Sequence, residues 1–133
     1  GAVVALVAIT PGAGYVSVGS SIIIGILGPV ISFYVVRWRT RRSLDDTLDV
    51  FPCHGVGGIT GMIATAIFAQ EAGVVNGNYR TLAVHLFGLF VVVVYSFGVS
   101  IIGYLLIRKF VPLEVTLEEE KTGLDLTQHG ESV

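Results

Sequence analysis

Apolar runs long enough to cross a lipid bilayer alternate along this chain with short polar clusters. Val18 to Val36 carries no charge, Val50 to Gln70 is apolar after its first residues, and Leu82 to Ile107 is the longest uncharged run. A helix crossing the hydrocarbon core needs about 20 such residues. The pattern therefore predicts membrane helices near residues 18–36, 50–70 and 82–108. A shorter apolar piece near 1–10 ends at Thr10-Pro11-Gly12, where Pro and Gly together mark a break. It is too short to span, and reads as the second half of a helix whose first half lies outside the chain. The chain is accordingly expected to be a piece of a longer protein.

Small residues interrupt these runs at helical spacing. Ser21, Gly25 and Pro29 recur every four positions, predicting a packing stripe with a kink at Pro29. Gly57, Gly61 and Thr65 repeat the spacing and predict close packing on one side of their helix.

The polar clusters orient the spans. Arg37, Arg39, Arg41 and Arg42 surround Trp38 after the second apolar run, and Arg108-Lys109 follows the last one. The loop 71–80 holds a single basic residue, Arg80. Basic loops stay cytoplasmic and Trp favours the interface, so the arginine loop and the C-terminus are expected inside. This gives a membrane part over 1–111 and a cytoplasmic tail over 112–133.

Composition agrees. Of 133 residues, 53% are hydrophobic and 14% charged, whereas about a quarter are charged in soluble domains. Mean hydropathy is +0.79. No basic stripe suggests nucleic acid. The single Cys53 allows no internal disulfide, and Cys53-His54 alone makes no metal site. No nucleophile–base pair or phosphate loop is visible, so an enzyme, a metal or a cofactor is not expected.

One ionisable residue stands out. His54 lies about five positions inside the apolar run that follows Asp45, Asp46 and Asp49. Such a group within a membrane segment is costly and by default functional. Asp46 and Asp49 are both candidate N-caps of its helix. Asp49 is preferred, because Pro52 then falls at the third helical position, where its missing N–H costs nothing.

Three stretches together resemble ammonium transporters of the Amt/Mep/Rh family. They are Ala8-Ile9-Thr10-Pro11, then Asp45-Asp46-Thr47-Leu48-Asp49-Val50-Phe51 leading into His54-Gly55-Val56-Gly57-Gly58, and Gly123-Leu124-Asp125 with His129-Gly130-Glu131-Ser132. Order and spacing match over essentially the whole chain. The resemblance implies an all-α integral membrane protein of about eleven helices, forming homotrimers with a pore in each subunit. This chain would be its C-terminal portion, three full transmembrane helices and a partial one, in a plasma or inner membrane. By the same resemblance His54 is one of two paired pore histidines, Val50 lines the hydrophobic conduit and Thr10 faces the pore near its outer end. Asp46 and Asp49 hold the helix start. Gly123, Asp125, His129, Gly130 and Glu131 belong to a tail that couples subunits or meets a PII-class regulator. Pro52-Cys53 departs from the Gly-Val usual in the family. The implied function is transport of ammonium or ammonia; an ammonium sensor of the same fold is the alternative.

Overall fold

The computed structural model describes residues 1–42 and 44–131. Ser43, Ser132 and Val133 lie outside the described residues, and with them the last position of the tail motif. Among the described residues there is no strand, only an isolated antiparallel bridge between Val16 and Ala69. The helices are α1 (Ala2–Ile9), α2 (Val18–Arg41), α3 (Gly57–Phe68), α4 (Tyr79–Arg108) and α5 (Leu117–Thr122). A π-helical turn over Phe51–Val56 runs directly into α3. Three segments are long and apolar enough to cross a membrane, Val18–Arg41, Phe51–Phe68 and Tyr79–Arg108.

The chain packs as two compact units, Gly1–Val92 and Val93–Val133. This division falls inside α4 and follows packing. It is therefore distinct from the division into membrane part and tail expected from the sequence.

In the first unit, α1, α2 and α3 bundle around small residues. Ala8 and Ile24 are completely buried and Ala64 nearly so, with Ile9, Val16 and Phe68 around them. The register is set by glycine. A Cβ on Gly57 would stand 3.3 Å from Val4 and Val7 side chains; one on Gly61 would press on the Ala8 backbone. One on Gly12 would stand 3.0 Å from the Thr65 hydroxyl. Val4, Ala8 and Gly12 thus lie beside Gly57, Gly61 and Thr65, a constant offset of 53 positions, so α1 and α3 run parallel. Thr65 satisfies its buried hydroxyl by donating to the Gly61 carbonyl at 2.8 Å. Replacing hydrocarbon contacts by close backbone approach is how helices associate in lipid.

The stripe on α2 differs from the expected one. Its buried row is Ile24, Gly28 and Ser32, one residue ahead of Gly25 and Pro29, which sit at the edge, half-buried. A Cβ on Gly28 would lie 2.6 Å from the Ala8 Cβ. Pro29 lies inside α2, which continues through it and on to Arg41, five residues past the expected end. Arginine is a good helix former and its long stem lets the charge reach water from a helical backbone, so the basic cluster prolongs the helix.

The connections that follow α1 and α3 are tied by hydrogen bonds. Gln70 N–H donates to the Tyr15 carbonyl at 2.9 Å, and the Asn76 side chain donates to the carbonyls of Ala69 and Gln70 at 3.1 and 2.6 Å. In α4 no residue is buried.

The second unit contains the end of α4 and the tail. Tyr104 donates to Glu114 at 3.1 Å, and Arg108 lies 3.7 Å from the same carboxylate. A capping box starts α5. Thr116 accepts from the Glu119 amide, while the Glu119 carboxylate accepts from the Thr116 amide and hydroxyl, each at 2.8 Å. Those bonds, the backbone one foremost, hold the Glu119 carboxyl below its usual range. A second π-helical turn spans Asp125–His129. Gly123 and Gly130 frame it at φ of +100° and +68°, which side chains rarely adopt. The Gly130 amide donates to Leu126 and the Glu131 amide to Asp125, closing the turn as a helix C-terminus commonly closes.

Candidate functional site

The segment carrying His54 is anchored from α2. Arg39 lies near the end of that helix and donates to the Leu44 carbonyl at 2.9 Å and to Asp49 Oδ1 at 2.7 Å. It thereby straps the loop of residues 44–49 against α2. Asp49 adopts φ of +52°, the only non-glycine residue with positive φ among those described. The turn it makes carries the chain back over Asp46. Asp46 Oδ1 accepts from the Val50 amide and Oδ2 from the Phe51 amide, both at 2.9 Å.

This corrects the preferred cap. The helix does begin after Asp49, whose carbonyl accepts from the Cys53 amide at 2.9 Å. The carboxylate that satisfies its first free amides is that of Asp46. Asp49 instead spends its carboxylate on Arg39. Capping rules count from a side chain to the amides two or three residues on; here the reach is four and five. The arginine partner is hidden in a basic run that topology alone explains. Its one sequence signal is an Asp ten residues further on.

Pro52 stands third in the helix, so no amide is lost there, and its ring is fully buried. The turn that follows is widened from α to π over Phe51–Val56. Such turns are rare and concentrate at functional sites. Phe51 folds over Gly55, whose missing Cβ would stand 3.0 Å from the ring. Gly57 and Gly61 face α1. His54 stands in the neighbouring row and is exposed, its imidazole without a hydrogen bond among the described residues. Val50, four residues before it, is 51% exposed. Gly58, four residues after it, has open space where a Cβ would be. Val50, His54 and Gly58 thus form an open row beside the packed one. Cys53 beside them is a half-buried free thiol.

Thr10 is also exposed, with its hydroxyl donating to the Leu6 carbonyl at 2.7 Å. The parallel register sets it level with Ile63, nine residues beyond His54, or roughly 13 Å along the bundle at 1.5 Å per residue. Thr10 and His54 therefore belong to different depths. His85 is held locally, with Nδ1 2.9 Å from the Thr81 carbonyl. The tail residues Gly123, Asp125, His129, Gly130 and Glu131 fall in the second unit, around the turn described above. Among the described residues no three His, Cys, Asp or Glu side chains cluster as metal ligands would.

Comparison with known proteins gives a consistent result. The sequence model of the Ammonium Transporter Family matches residues 1–133. The ammonium transporter of Bacillus subtilis is 40% identical over 98% of this chain, and Ammonium transporter Amt1 of Archaeoglobus fulgidus is 35% identical over 98%. Ammonium transporter 1 of Schizosaccharomyces pombe is 36% identical over 99%. The chain covers 34%, 35% and 30% of the lengths of these three relatives.

Proposed function

The chain belongs to the Ammonium Transporter Family, and from that membership we propose that it forms part of the wall of an ammonium-conducting pore, with His54 and Val50 facing the conduit. The observation that carries this reading is the exposed imidazole of His54 on a segment of membrane-crossing length. An imidazole turned toward lipid would be costly, so such groups face a bundle interior or a water-filled cavity. The neighbouring glycine row of that helix packs on α1, which leaves the open row of Val50, His54 and Gly58 to the conduit.

The chemistry follows from dehydration. A bare cation in a low-dielectric passage costs many kcal/mol, so apolar walls such as Val50 reject hydrated ions. A neutral imidazole accepts a hydrogen bond from an N–H of ammonia or ammonium, and its two ring nitrogens suit it to relay a proton. Arg39, Asp49 and Asp46 position the turn without touching the permeant species. Basic clusters at Arg37–Arg42 and Arg108–Lys109 support a cytoplasmic C-terminus. On this reading the chain acts within a homotrimer, and residues 123–131 are the segment that a neighbouring subunit or a PII-class regulator would engage.

Methylammonium uptake in transporter-deficient cells expressing the protein tests the role of His54. His54→Ala should change uptake by about tenfold or more, the scale of one lost polar contact of roughly 1.4 kcal/mol in the path. Unchanged uptake with unchanged selectivity would remove His54 from the conduit.

A further inference from the structure

The basic cluster is helical, and that fixes which arginines share a face. Residues three, four and seven apart lie on one side of a helix, so Tyr34, Arg37, Trp38 and Arg41 stand together on α2. They line a shallow depression of about 320 Å³. Arg37 and Arg41 also border an adjoining depression with Val36 and Thr40. The Arg37 guanidinium lies 5.7 Å over the Phe33 ring, which holds its stem along the helix. Trp38 is half exposed on this face.

Charge separates these arginines from Arg39. Arg39 is mostly buried and neutralised by Asp49. The other ion pair among the described residues is Arg108 with Glu114, so Arg37 and Arg41 have no acidic partner there. Two uncompensated guanidinium groups one helical turn apart form a cradle with an aromatic wall. The uncharged run of α2 ends at Val36, one residue before the cradle. For a helix that crosses the bilayer, this is the depth of lipid headgroups. Guanidinium groups match phosphate bidentately, and basic residues at the surface attract anionic lipid.

We infer that the Tyr34, Arg37, Trp38 and Arg41 face of α2 is a binding site for the phosphodiester headgroup of an anionic phospholipid. Arg37 and Arg41 straddle the phosphate, while Trp38 and Tyr34 pack against the glycerol and upper acyl chain. The inference needs only that α2 spans the membrane, and is independent of conduction.

Trp38 is the sole tryptophan of residues 1–133 and, with any tryptophan elsewhere in the full-length protein replaced by phenylalanine, reports on the site directly. The protein is reconstituted into phosphatidylcholine vesicles in which a small fraction of lipid carries brominated acyl chains, a fluorescence quencher. Brominated phosphatidylglycerol should quench Trp38 with an apparent affinity roughly fivefold or more above that of brominated phosphatidylcholine, as expected for two arginines at the surface. The double change R37Q/R41Q should abolish the preference and R42Q should preserve it. Equal quenching by the two lipids would overturn the site, and the wild-type comparison decides this even where a variant fails to insert. Preference retained in an inserted R37Q/R41Q protein would also overturn it. Loss of the preference on adding millimolar inorganic phosphate at constant ionic strength would reassign the cradle to a soluble anion and refute the lipid.

Discussion

A carboxylate three residues ahead of a helix start can reach the first amides only if the chain turns back over it, and Asp49 makes that turn at φ of +52°. Arg39 holds Asp49 there, and Asp46 collects two amides that otherwise have no partner. Asp46→Ala should therefore destabilise the protein by about 1–2 kcal/mol, at the upper end for a cap, in denaturant titrations in micelles. Asp46→Asn, which keeps one acceptor, should lose less. Glu119 illustrates a second carboxylate with a measurable signature. Its folded value is lowered by the bonds from Thr116, so its contribution is present above the ordinary value of 4.5 and is lost as pH falls through the lower folded value. Helicity of residues 117–122, followed by amide NMR shifts, should accordingly fade below about pH 4.5 and persist above it; Glu119→Gln should flatten the profile. That His54 is a candidate was legible because an ionisable group in an apolar run is conspicuous. That Asp46 rather than Asp49 caps was not, because the deciding partner, Arg39, is distant in sequence.

Helices of this chain were legible in extent more than in orientation. Lipid demands continuous apolar runs, so spans near 18–36, 50–70 and 82–108 correspond to Val18–Arg41, Phe51–Phe68 and Tyr79–Arg108. A helix apolar on every side does not announce which side is packed, which is why the buried row of α2 falls one residue from Gly25 and Pro29. In α3 the two glycine neighbours separate cleanly. Gly61→Ala would drive a methyl group into the Ala8 backbone and should cost about 1–3 kcal/mol, as overpacking does. Gly58→Ala meets open space and should gain about 0.4–1 kcal/mol by removing glycine's freedom in the unfolded chain. Thermal unfolding of the two variants in one detergent should move the midpoint in opposite directions; a loss of equal size in both would show that the parallel register of α1 and α3 is wrong.

At the scale of the molecule, the tail shows the limit of composition. Its polar, acidic character suggests a solvated segment, yet Thr116 to Glu131 contains a capped helix and a closed turn built on Gly123 and Gly130. Local pairs such as Thr116 with Glu119 supply that order without a core. The first unit depends on contacts of the opposite kind. The closest approach of α1 and α3, Gly61 against Ala8, joins residues 53 positions apart and running in the same direction. Parallel neighbours cannot be joined by a tight turn, so α2 must cross the bilayer and return before α3 can settle beside α1. The α1–α2 hairpin is local and can form while the remainder is still being made; the α3 contact is non-local and closes later. The turn that bears His54 leads into this later contact, and an arrest between the two steps would leave a hairpin whose Val4, Val7 and Ala8 surface, the one Gly57 and Gly61 cover, is open in the membrane.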